Sequence, residues 1–139
     1  MSPQENKAIL RRFVDAWNER NMEAFYATFA STCAFPTLAR YGLPQTLTGY
    51  HQLITSYLAA FPDAHVTIEE QIAEGDTVMN CNTEGGTHAG AWRGIPATNK
   101  PVAFSSIVIF RLEAFNIVEW RYFPDSLSIL QQLGTLPVQ

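Results

Sequence analysis

Pro62-Asp63-Ala64-His65-Val66-Thr67-Ile68-Glu69 marks a change of rhythm in the chain. Before Pro62 the apolar residues recur at helical spacing; after it Val66 and Ile68 alternate with Thr67 and Glu69, the period of a half-exposed strand. Helices first and strands second predict an α+β fold, with N-terminal helices laid on a mostly antiparallel sheet.

Working back from Pro62, Leu53, Ile54, Tyr57, Leu58 and Phe61 predict a helix that begins near Thr48 and that the proline stops. The stretch around Pro36, Gly42 and Pro44 reads as irregular. A short helix after Asn21 is expected to bury Phe25 and Phe29, and the first helix carries Ile9, Phe13, Ala16 and Trp17 on one face. Its start is written in Ser2 as N-cap, Pro3 at the first helical position and Glu5 completing a capping box.

Working forward, Gly75-Asp76 is a turn signal before a second strand from Thr77 to Glu84, and Gly85-Gly86 predicts a bulge or a close backbone approach. Gly94 to Pro101 is a loop by its turn chemistry. Val102 to Leu112 and Ile117 to Phe123 are rich in β-branched and aromatic residues and read as strands. A last helix runs from an Asp125 cap through Leu127, Leu130 and Leu133 to Gly134.

The chain of 139 residues matches one domain, 1–139, large enough to bury a core without staples. Hydrophobic residues make up 47% and charged residues 16%, so apolar surface is left for a pocket or a dimer interface. Nine basic residues against thirteen acidic ones give a net charge of −4, and the basic ones are scattered, which argues against nucleic acid as a partner. The polar N-terminus and the lack of a membrane-length apolar run predict a soluble, cytoplasmic protein without membrane association. Cys33 and Cys81 lack metal-type spacing and read as small buried hydrophobes, so no metal site is expected.

Alternation decides which side chains share a face. Val118, Trp120 and Tyr122 fall together on the last strand, Asn80, Asn82 and Glu84 on the second, and Phe104, Ser106, Val108 and Phe110 on the third. On one curved sheet these faces make an apolar bowl with a few polar groups, the usual build of a small-molecule site. An ordinary core with satisfied polar groups has the same pattern.

Two stretches resemble a known family. Gly86-Thr87-His88-Ala89-Gly90-Ala91-Trp92-Arg93-Gly94-Ile95-Pro96-Ala97-Thr98-Asn99-Lys100-Pro101-Val102 is similar to a signature of SnoaL-like polyketide cyclases, and Asp125-Ser126-Leu127-Ser128-Ile129-Leu130-Gln131-Gln132-Leu133-Gly134 is similar to the ending of the same family. The resemblance implies the nuclear-transport-factor-2-like fold, a cone of helices closed by a strongly bent mixed sheet, with a deep pocket, homodimerisation and no cofactor. Cyclases of this type use an aspartate as acid/base for an aldol ring closure; limonene-type epoxide hydrolases on a similar scaffold use an Asp-Arg-Asp set to activate water.

The departures shape what carries over. The acid/base aspartate position holds Tyr122, the earlier arginine and aspartate fall near Asn80 and Asn82, and the histidine of some cyclases falls near Val108. A phenol with an ordinary pKa of about 10 is mainly a donor, so Tyr122 is expected to polarise a carbonyl or epoxide oxygen while Asn80 and Asn82 orient the substrate. His88 is a titratable candidate, or else a residue bonded to its own loop. Glu84 is a base if buried, or else a solvated strand-end charge. Asp125 reads as an N-cap; Trp92, Trp120 and Phe104 read as pocket walls or plain core, and Tyr41 and His51 lie near the expected mouth.

The function expected from these readings is a cofactor-independent cyclase or isomerase acting on a small apolar natural-product intermediate. Catalytic roles fall to Tyr122, His88, Asn82 and Glu84, and substrate contacts to Asn80, Trp92, Phe104, Ser106, Val108, Trp120 and Tyr41. Epoxide opening by water and a non-catalytic ligand-binding dimer are the alternatives.

Overall fold

The structure, a computed structural model, describes residues 1–136, so the last three positions of the expected domain lie outside the described residues. The elements are α1 (Pro3–Asn18), α2 (Met22–Ala27), β1 (Phe29–Ala34), a 3₁₀ turn (Pro36–Tyr41), α3 (Leu47–Ala60), β2 (His65–Glu74), β3 (Thr77–Thr87), β4 (Pro101–Glu113), β5 (Asn116–Pro124) and α4 (Ser126–Gln132). The five strands form an open mixed sheet in the order β1-β5-β4-β3-β2, with β1 parallel to β5 and the other pairs antiparallel.

The expected cap of α1 is present: Glu5 N–H donates to Ser2 Oγ at 3.0 Å and Ser2 N–H to Glu5 Oε1 at 2.9 Å. Its apolar face lies on the sheet, where Phe13 meets Phe110 edge-on at 5.7 Å and stacks on Phe25 at 4.4 Å. Burying one such ring contributes roughly 1.5–3 kcal/mol, so this aromatic layer holds helices and sheet together. At the end of α1, Asn18 bonds the backbone of Val66 in both directions at 2.8 Å and occupies the open edge of β2.

Two expectations are corrected, and one pair of alternatives is resolved. Phe29 does not continue α2: Thr28 caps that helix, and Phe29 begins β1, a strand whose Ala30 is half-buried and whose Ser31 and Thr32 are exposed, so that it shows no alternation. Val118 does not share the face of Trp120 and Tyr122. A bulge between the Ile117 and Glu119 pairings inserts one residue and turns Ile117 inward instead, fully buried. No bulge sits at Gly85-Gly86, where pairing with Ala103 and Val102 runs on unbroken; close approach is the reason for glycine, since a Cβ on Gly85 would stand 2.3 Å from the Val102 carbonyl oxygen. The bulge lies on β2, between Ile68 and Glu70.

Candidate active site

The inward positions of three neighbouring strands converge. Asn80 pairs with Val108 and Val108 with Tyr122; Asn82 pairs with Ser106, and Glu84 with Phe104. Over them lies a cavity of about 570 Å³, walled on the helix side by Phe13, Trp17, Leu53 and Tyr57. This size suits a small organic molecule. Asn80, Asn82, Glu84, Phe104, Val108, Trp120 and Tyr122 all line it, and Trp92 and Tyr41 stand in its wall beside Arg93.

Glu84 is the carboxylate among the residues that line the cavity. Only 7% of it is exposed, and both its protein donors, Ser106 Oγ and Tyr122 OH (2.8 Å), reach the same oxygen, Oε2. Oε1 takes no hydrogen bond among the described residues, and Glu84 lines the cavity. Burial raises its carboxyl above the ordinary 4.5, and the two hydrogen bonds only partly oppose that. Such a group exchanges a proton closer to neutrality than an exposed glutamate does.

The phenol of Tyr122 is turned to Glu84. Its single hydroxyl hydrogen is donated to the carboxylate. Burial, then the Glu84 charge, pushes its phenol well above 10, which keeps it a donor. Trp120 stacks on its ring at 5.5 Å and meets Tyr50 edge-on at 4.9 Å, fixing where the hydroxyl points. Ser106 stands behind Glu84 and is joined to the cavity through it.

Asn80 is fully buried, and its Oδ1 and Nδ2 both lack a partner among the described residues, as does Oδ1 of Asn82. Unpaired buried amides cost about 1–3 kcal/mol each, and here they sit where a guest can pair with them. From the opposite wall Trp17 brings a further donor, Nε1, that has no partner among the described residues. Trp17 and Tyr57 were legible only as apolar helix positions; their signal was a polar tip on a buried face.

His88 is set apart from this group. It is fully buried, it does not line the cavity, and its Nδ1 accepts the Thr98 N–H at 3.2 Å and lies 2.9 Å from Thr98 Oγ1. Its backbone bonds Lys100 and Asn99 as well, so it staples the 88–100 loop to the end of β3. His88→Ala is expected to lower stability by about 1–3 kcal/mol in thermal unfolding, by orphaning the Thr98 amide. His51 is also outside, stacked on Tyr26 at 3.8 Å, and Asp125 caps α4 by accepting the Ser128 N–H at 3.1 Å.

Among the described residues no helix is long and apolar enough to cross a membrane, and no three His, Cys, Asp or Glu side chains form a metal cluster. A comparison with curated proteins gives no match. A family model described as SnoaL-like polyketide cyclase matches residues 7–133.

Among solved structures, AclR of Streptomyces galilaeus, a candidate hydroxylase, is similar over 99% of this chain and 89% of its own, at 24% identity and a TM-score of 0.88. IdmH of Streptomyces antibioticus, a candidate polyketide cyclase, is similar over 93% and 98%, at 23% identity and a TM-score of 0.81. A candidate polyketide cyclase of Acidithiobacillus ferrooxidans is similar over 99% and 100%, at 26% identity and a TM-score of 0.77. These likenesses give the open sheet and its helices as the α+β cone fold. With nearly the whole chain inside the family model and the same fold in its neighbours, the chain belongs to the SnoaL-like polyketide cyclase family.

Proposed function

We propose that the protein is a cyclase or isomerase for a small, largely apolar natural-product intermediate, and that Glu84 is its acid/base. The observation that carries this reading is a buried carboxylate with both donors on one oxygen and the other oxygen left for a guest. Oε1 takes a proton from a carbon next to a carbonyl; the C–H electron pair moves into the carbonyl, and the resulting enolate oxygen is met by the free Asn80 amide. The enolate carbon then closes on a second carbonyl of the same molecule, and Glu84 returns the proton to the new alkoxide. In an isomerase the proton returns to another carbon. Holding both reacting ends in one cavity supplies the proximity term.

The test is deuterium incorporation, or ring closure, of an aryl β-diketone in D₂O, followed by NMR against the buffer background. Exchange above background that needs Glu84 supports the assignment. Binding with no exchange and no new product would leave a ligand-binding module.

The outer sheet face supports a homodimer as the working form. Register aligns Ile72, Met79 and Ile109 across β2, β3 and β4, with Cys81 and Ile107 in the neighbouring row, and Ile72 and Ile107 are 48% and 39% exposed. Such rows are covered by a second copy of the same face in an isologous dimer. Light scattering is expected to give twice the chain mass, and Ile107→Lys a monomer; a monomeric wild-type protein would exclude this interface.

A further inference from the structure

Beside the mouth of the cavity lies a second cleft of about 560 Å³, and Tyr41, Arg93, Pro124 and Ser126 belong to the walls of both. Two guanidinium groups face this cleft. Arg40 lies over the Phe123 ring at 5.3 Å, and Arg93 lies over Trp92 at 4.7 Å and Tyr41 at 5.0 Å. Neither arginine pairs with a carboxylate among the described residues, whose ion pairs are Arg111 with Glu113 and Arg121 with Glu119. In a chain with thirteen acidic and nine basic residues, two unpaired arginines at one opening are a local reversal of sign.

The backbone adds an independent observation. Trp92 and Ile95 exchange both backbone hydrogen bonds, at 3.0 and 2.8 Å, around a two-residue turn in which Arg93 has φ +48° and Gly94 φ +78°. Such a turn favours Asn or Gly at its first position, since a Cβ is strained there. An arginine stands in its place, and the turn aims its side chain back across Trp92 and Tyr41 at the opening. A guanidinium lying on an aromatic face is pre-oriented and keeps its N–H edge free, the edge that matches a carboxylate or a phosphate.

We propose that the substrate carries an oxyanionic head group which Arg40 and Arg93 hold at the mouth, while its apolar body fills the cavity. This rests on the assignment of the cavity as the reaction site. The interior favours the apolar body instead, because its walls are mostly aromatic and aliphatic and the acidic side chain among them is Glu84. The two ends therefore fix one direction of entry: oxyanion outward, reactive carbon inward.

Three probes of one shape test this by calorimetry: 2-naphthoate, 2-naphthyl phosphate and methyl 2-naphthoate. The wild-type protein is expected to bind at least one of the anions about tenfold or more tightly than the neutral ester, with the gap shrinking as salt is raised. Whichever anion binds better names the head group as carboxylate or phosphate. Both arginines are exposed, so Arg40→Gln with Arg93→Gln is expected to keep the fold and to lose the gap between anion and ester. Equal binding of anions and ester by the wild-type protein, or a gap that survives the double substitution, overturns the proposal. Glu84→Gln separates the two assignments: an anion preference without any Glu84-dependent turnover leaves the arginine clamp standing and removes the acid/base role, and the converse removes only the clamp.

Discussion

Glu84→Gln is expected to lower turnover by about 10²–10⁴-fold and, at neutral pH, to raise the unfolding temperature. Both effects have one cause. Gln keeps an oxygen that can accept from Ser106 and Tyr122, so the shape of the site is kept, but it cannot take a proton from carbon. In the folded protein the Glu84 carboxyl titrates above 4.5. Between its unfolded and folded values the native state therefore holds more protons than the unfolded chain, and stability falls as pH rises through that window. The glutamine has no such loss. Thermal unfolding at about pH 4 should give similar midpoints for the two proteins, with the variant pulling ahead as pH is raised through the folded value. Retention of full turnover in the variant would remove Glu84 from the chemistry.

Tyr122→Phe has the second largest expected effect, and its pH dependence shows how Tyr122 acts. The substitution deletes a 2.8 Å hydrogen bond to a buried carboxylate. Bonds of that kind contribute about 1.5–3 kcal/mol, so the Glu84 carboxyl should rise further. The acid limb of the rate profile should move up by the same amount. Below that limb the loss is expected to be roughly tenfold to a hundredfold, and it should recover once the carboxyl is again ionised. A loss of equal size at every pH would mean that the phenol meets the substrate directly, against the geometry described above. Ser106→Ala should shift the limb in the same direction, since Ser106 donates to the same oxygen.

Much of the site was legible because β-strands are strict. Period two placed Asn80, Asn82 and Glu84 on one inward face, and Phe104, Ser106, Val108 and Phe110 on the next, and each is buried there. Alternation failed where one residue is inserted, which is why Ile117 rather than Val118 faces inward. It could not find β1 either, because an edge strand of Ala30, Ser31 and Thr32 buries too little to show a period. The partner of a side chain is a question of distance across strands. Tyr122 was legible as a cavity residue, but its bond to Glu84 depends on the register of β3, β4 and β5 together.

His88 sits in one of the two stretches that resemble the family, yet that stretch is largely a loop tied down by Thr98, Asn99 and Lys100, and its histidine is part of the tie. Arg93 was legible as a scattered basic residue inside that family-like stretch, with no role of its own. Its place over Trp92 and Tyr41 comes from a left-handed turn that composition does not announce.

The most direct measurement is a carbon-detected NMR titration of the Glu84 carboxyl, in the empty protein and with the neutral naphthoate ester bound. A carboxyl that titrates above 4.5, and whose titration moves when the ester is bound, is the predicted result. A carboxyl that titrates at or below that ordinary value and does not respond to the guest would contradict the account.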